Sequence, residues 1–178
     1  MKRILTMTLG VFFFLSCANK KNETQKNPEK TIKKSQLTKK VKEVKSPIVV
    51  IDENGVANVS IRTSDKMKFN VKKFKVKANQ KIKLTLIHEG KLDKKIMGHN
   101  VVILNQGVNV SRFAATAAAA RGNDYIPVNS AEIIAHTKMI GGGESTTIEF
   151  IAPARGTYDF ICSFPAHYAM MKGKFIVE

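Results

Sequence analysis

Cys162, His167 and Met171 lie in one short segment, Cys162-Ser-Phe-Pro-Ala-His167-Tyr-Ala-Met-Met171. A thiolate, an imidazole and a thioether form a soft donor set, and soft donors favour copper. An ion that alternates between +1 and +2 needs a shell acceptable to both states. Two histidines and one cysteine in a plane, with a weak axial methionine, meet that need. The segment lacks the second histidine. Of His88, His99 and His136, His99 is the best placed: it follows Met97-Gly98 and opens the apolar run Val101 to Leu104. Gly98 allows close backbone approach, so its carbonyl could face the ion opposite Met171. Pro165 limits the freedom of the segment between the donors. Zinc also takes Cys and His but has little use for Met. Taken singly, each residue has an ordinary role as core filler or structural histidine. It is their conjunction between two strands that points to a metal.

The flanking elements read as strands. Val56–Ile61 in part, and the second half of Phe69–Lys77 and Ile82–Leu86 throughout, alternate apolar and polar residues at period two, the mark of half-buried strands. Val101–Leu104 is apolar throughout, and Thr146–Ile151, Thr157–Ile161 and Lys174–Val177 complete the set. Asn54-Gly55, Glu89-Gly90, Gly141 to Gly143, Arg155-Gly156 and Lys172-Gly173 supply the turns. Many short strands at this spacing predict an all-β sandwich. Ser111 to Arg121 holds six alanines and precedes Gly122. This predicts one short helix capped by Ser111, with Tyr125–Val128 leading back toward strand.

The N-terminus has another character. Lys2 and Arg3 precede an apolar run, Ile4 to Leu15, followed by Ser16-Cys17. Residues 1–16 therefore read as a secretory signal peptide. Phe14-Leu15-Ser16-Cys17 resembles a bacterial lipobox, which makes Cys17 the expected lipidation site and first mature residue. Residues 18–47 carry ten lysines and three glutamates with no aromatic residue. Such a stretch cannot bury enough surface to fold and reads as a solvated tether. It holds much of the formal charge of +16, shows no nucleic-acid motif, and suits a place beside anionic lipid head groups. The chain thus divides into 1–16, a tether with its lipidated cysteine over 17–47, and a globular domain over 48–178. With Cys17 lipidated, Cys162 is the single remaining thiol, free for a metal.

Met97-Gly98-His99-Asn100 and Cys162 through Gly173 resemble the two copper motifs of azurins, a blue-copper cupredoxin family. Ile134 through Glu144 and Met67-Lys-Phe-Asn70 are similar to further azurin segments, so the resemblance covers roughly 56–178. It implies an eight-stranded Greek-key sandwich with a helical flap, binding one copper ion. It implies Gly98 (carbonyl), His99, Cys162, His167 and Met171 as ligands. Asn100 would brace the ligand loops, and amides near Asn100 and Phe164 would bond the thiolate. His167 would lie near the surface in an apolar patch with Met97 and Ala166. The implied role is that of a monomeric carrier, not an enzyme. It would pass single electrons between redox proteins such as c-type cytochromes or copper or haem reductases, exported and held to a bacterial membrane through its lipid. The alternative is a lipoprotein that buffers or delivers copper; a third reading is a metal-free interaction module of the same fold. The chain departs from azurins in lacking the cysteines for their N-terminal disulfide, in having Val101 where many carry Trp, and in placing Ala166 where Gly is usual. His88 is expected to be structural and His136 to be a surface residue.

Overall fold

The computed structural model describes residues 47–178. The signal peptide, Cys17 and nearly all of the tether lie outside the described residues. Nine strands are described: β1 (Val49–Ile51), β2 (Ala57–Thr63), β3 (Lys73–Val76), β4 (Lys81–His88), β5 (Val102–Leu104), β6 (Ile133–His136), β7 (Ser145–Ile151), β8 (Gly156–Ile161) and β9 (Lys172–Val177). They form two sheets, ordered β1-β2-β4-β7 and β3-β9-β8-β5-β6. Each sheet has one parallel pair, β2 with β4 and β3 with β9, among antiparallel neighbours. The fold is the all-β sandwich that the alternation predicts.

Period two decides which side chains meet. Ala57, Val59 and Ile61 of β2 and Ile82, Leu84 and Leu86 of β4 form buried rows. They meet Tyr158 and Phe160 from β8 and Phe175 and Val177 from β9 in the inter-sheet core. The rows of β8 and β9 continue to Cys162 and Met171, both buried in that core. The Cys162 N–H donates to the Met171 carbonyl at 2.9 Å. Antiparallel pairing and side-chain alternation thereby deliver two sulfur-bearing residues to one end of one face. Gly173 lies opposite Phe160, where a Cβ would meet the Phe160 ring at 2.2 Å. Only glycine leaves that ring its place.

Helix α2 (Val110–Ala119) covers the outer face of the second sheet. Phe113 and Ala117 pack with Val102, Leu104, Ile126 and Ile161. This second core explains why Val101 to Leu104 are all buried: β5 has apolar neighbours on both faces, so it cannot alternate. The cap of α2 is Asn109, whose side chain accepts from the Arg112 N–H, and not Ser111 as predicted. Asn109 sits three residues before that amide, the reach of an N-cap oxygen. A short helix, α1 (Lys94–Met97), capped by Asp93, precedes the Gly98–His99 segment.

Other local expectations also shift. Strand β3 covers only Lys73–Val76 of the expected Phe69–Lys77. Tyr125 and Asn129 have left-handed φ of 58° and 54°, so Tyr125–Val128 is not a strand, and the chain re-enters the sheet at Ile133. Strand β1 is Val-Val-Ile and β6 Ile-Ile-Ala-His, so neither alternates as the equally short β3 does.

Candidate metal centre

Three donors converge at the end of the sandwich. Cys162 Sγ lies 3.7 Å from His167 Nδ1 and 3.9 Å from His99 Nδ1, and all three atoms fall within 4.8 Å of one another. The Gly98 carbonyl oxygen is 3.9 Å from the same sulfur. Metal–thiolate and metal–imidazole bonds of about 2.3 and about 2.0 Å, meeting at about 120°, require sulfur and nitrogen about 3.7 Å apart. The donor set therefore fits a single ion at its centre. Met171 is wholly buried beside Cys162.

The segment from Cys162 to Met171 holds itself in place. Met171 N–H donates to the His167 carbonyl at 2.8 Å, and His167 N–H to the Phe164 carbonyl at 3.0 Å. His167 opens a short 3-10 turn, and Ala166 before it has φ of 66°. Glycine adopts that conformation freely, whereas alanine's Cβ strains it. Lys72 Nζ caps the Met170 carbonyl at 3.0 Å.

His99 is held from several distant points. Its backbone exchanges both hydrogen bonds with Ile140, each 2.9 Å. Its Nε2 lies 3.1 Å from the Ser64 carbonyl. A carbonyl only accepts, so Nε2 carries the proton and Nδ1 presents its lone pair toward Cys162. Gly98 is packed so closely that a Cβ would meet the Lys94 carbonyl at 2.4 Å. Asn100 joins the two halves: Oδ1 accepts from the Ser163 N–H at 2.9 Å, and Nδ2 donates to Ser163 Oγ at 2.8 Å. These bonds tie the segment after His99 to the residue that follows Cys162.

Burial sets the protonation states. It pushes the Cys162 thiol up to about 12, partly offset by the Asn100 and Phe164 amides. It lowers His99 to about 4, assisted by the neighbouring His88, while the Ser64 carbonyl acts in the opposite direction. His167 is also lowered by burial, against a bond to the Gly98 carbonyl. At neutral pH both imidazoles are free to ligate, and the thiol must release its proton to a metal.

His88 stacks on His99 with ring centroids 4.6 Å apart. Its Nε2 donates to the Met97 carbonyl, and its Nδ1 accepts from the Gly90 N–H, each at 3.0 Å. These contacts pack His88 behind the His99 ring. His136 is exposed on β6 and outside the donor group. His167, expected near the surface, is 4% exposed against none for His99 and Cys162. Met97 is half-buried and Ala166 exposed. Ser64, Asp65, Ser163 and Thr137 escaped the sequence reading. Asp65 accepts from the Lys91 and Leu92 amides at 2.8 and 3.3 Å, and the Thr137 hydroxyl accepts from Val101 N–H at 3.0 Å. Only Ser163, next to Cys162, carried a signal in its position.

Comparison with known proteins now places the chain. Residues 55–178 match the family model of copper binding proteins, plastocyanin/azurin family, and the chain belongs to that family. Within it, the chain is similar to azurins. It is 39% identical to Azurin-1 of Alcaligenes xylosoxydans xylosoxydans over 120 residues, 65% of this chain and 93% of that protein. It is 38% identical to Outer membrane protein H.8 of Neisseria gonorrhoeae, covering 67% of each. Among solved structures, the dithionite-reduced auracyanin of Roseiflexus castenholzii is 37% identical with a TM-score of 0.61, covering 68% of this chain and 96% of that one. Auracyanin A of Chloroflexus aurantiacus, titled a blue copper protein, is 27% identical with a TM-score of 0.64, covering 70% of this chain and all of that one. The protein is a blue-copper cupredoxin, and its cofactor is one copper ion.

Proposed function

We propose that this protein carries single electrons between redox proteins of the bacterial cell envelope. His99 Nδ1, Cys162 Sγ and His167 Nδ1 would hold the ion, with the Gly98 carbonyl and Met171 as weaker donors. The observation that carries this reading is the convergence of one thiol and two imidazole nitrogens within 4.8 Å, all on buried residues. When bound, copper supplies a centre that gains and loses one electron. The residues hold one geometry for both states. Backbone bonds close the Cys162–Met171 segment, Ser64 fixes the His99 ring, and Asn100 locks the two halves together. Little must move on electron exchange, and burial excludes water and substrates from the donors. A carrier of this kind transforms no substrate, so the protein is not an enzyme. Copper buffering or delivery would call for an open site, and this one is enclosed.

Export, lipidation of Cys17 and tethering through 18–47 belong to the same proposal. The lipobox-like Ser16-Cys17 pair and the lysine-rich stretch support them, as does similarity to a relative named as an outer membrane protein. An anchor of this kind would keep a monomeric domain near a membrane, where it meets c-type cytochromes or copper or haem reductases.

The test is spectroscopic. The copper(II) protein is expected to show an intense visible thiolate-to-copper absorption band that Cys162→Ser abolishes. A copper-loaded protein without that band would overturn the ligand assignment.

A further inference from the structure

β4 and β8 run toward the metal centre, ending at His88 and beside Cys162, so the starts of these strands mark the opposite end. There Lys75 pairs with Glu178 and Lys81 with Glu149, while Lys77, Lys83 and Arg155 stand outside any ion pair among the described residues.

At the metal end, cations share one concave surface with aromatic residues. A cleft of about 230 Å³ is lined by Lys94, Lys95, Arg121, Asp124, Tyr125, Met139 and Phe164. Its one carboxylate, Asp124, faces Lys94 at 3.5 Å. Among the described residues, neither Lys95 nor Arg121 is in an ion pair. Lys138 joins Lys94 and Lys95 in an adjoining depression, which Asp93 and Glu144 also line. The cleft also reaches the site through aromatic contact. The Tyr125 ring meets Phe164 edge-on at 5.2 Å, and Phe164 lies 4.5 Å from the His167 ring. An occupant of the cleft is thus two rings from a donor of the metal centre.

We propose that this cleft docks the acidic face of a redox partner protein, with Lys94, Lys95 and Arg121 receiving its carboxylates and Tyr125–Phe164 bridging it to His167. The inference rests on the electron-carrier reading above and adds the partner's chemistry and approach. Clustered charge of one sign raises encounter rates with the opposite sign, and salt removes the gain. The effect is confined to about 10 Å at 0.1 M salt, so it must lie close to the docking site. A membrane would also attract lysines, but it is flat and carries no redox centre to place against Phe164. The concave, aromatic-floored cleft favours a protein.

The experiment uses one c-type cytochrome in two forms: native with a basic surface, and acidic after succinylation of its lysines. Stopped-flow mixing of ferrous cytochrome with the oxidised copper-loaded protein follows one electron leaving haem iron(II), which becomes iron(III), and reducing the copper protein. The acidic form is expected to react about tenfold faster at low salt, with the advantage collapsing at high salt. Lys94→Glu with Lys95→Glu and Arg121→Glu should erase or invert the preference. The glutamine versions should give an intermediate result. The same charge change at the far end, Lys77→Glu with Lys83→Glu and Arg155→Glu, should leave most of it. As a readout independent of turnover, amide NMR shifts of the copper(I) protein on adding acidic cytochrome should cluster at 93–96 and 121–125. Equal loss in both triple variants, or shifts elsewhere, would overturn the proposal. So would cleft variants that change only co-sedimentation with phosphatidylserine-containing vesicles, which would assign the surface to a membrane. A wild-type protein that exchanges electrons with neither cytochrome form defeats the carrier reading itself; equal rates with both defeat the docking inference alone.

Discussion

The two halves of the metal centre are built in opposite ways. The segment from Cys162 to Met171 brings Cys162, His167 and Met171 together within ten residues and closes with its own backbone hydrogen bonds. The other half, Gly98 and His99, has no such local closure. It is fixed by Ile140, by the Ser64 carbonyl, by the Asp65 carboxylate on the neighbouring loop and by Asn100 reaching to Ser163. The first half is a local device and the second a product of the whole sandwich. The contrast teaches that the site is preorganised only as far as its tertiary frame is intact. A nearly complete ligand loop does not by itself make a metal centre.

Removing the donor of the tertiary half should break the centre most severely. His99→Ala is expected to lower copper affinity more than about 100-fold, beyond the cost typical of losing an outer partner, as measured by competition with a chelator. In the unaltered protein, copper loading at pH 7 should release one proton per ion in a weakly buffered titration. The Cys162 thiol, pushed up to about 12, supplies it, and His99, lowered to about 4, has none to give. A count near two would mean that a histidine is protonated before loading.

Cutting the link between the halves comes next. Asn100→Ala leaves the buried Ser163 amide and hydroxyl without partners, at about 3 kcal/mol in chemical denaturation of the metal-free protein. If the loss were negligible, the halves would be independent. Asp65→Ala should cost about 1 kcal/mol, because the carboxylate is partly exposed. Its signature is local: faster hydrogen exchange at the Lys91 and Leu92 amides, with the Met171 amide unchanged. Equal acceleration in both halves would erase the distinction drawn here.

The smallest effect tests the local half alone. Ala166 adopts φ of 66°, which costs an alanine about 1–2 kcal/mol, while glycine costs about 0.4–1 kcal/mol through the unfolded chain. Ala166→Gly is therefore expected to stabilise the protein by roughly 0.5 kcal/mol in thermal unfolding. Destabilisation would show that the neighbouring contacts favour the methyl.

Legibility followed the range of the interactions. The alternation of β3 and β4, and in part of β2, was plain because one face of each meets the inter-sheet core. β5 read as an apolar run because α2 covers its outer side. β1 and β6 left no mark: their residues do not alternate, and pairing with a neighbour defines them. Within the site, every expected donor was named from residue type and spacing. Ser64, Asp65 and Thr137 were not, since nothing local ties a carbonyl at 64 to a ring at 99.

The order of residues by itself determined the Cys162, His167 and Met171 group, its softness and its strand–loop–strand setting, because these follow from residue type and spacing. It also determined the basic charge and the lipobox-like N-terminus. Only the tertiary structure decided that His99 and neither His88 nor His136 meets Cys162, that His88 stacks behind it, and that Lys94, Lys95 and Arg121 share a cleft beside Phe164. Those outcomes depend on pairing between sheets and loops far apart in the chain, where distance along the sequence carries no information about distance in space.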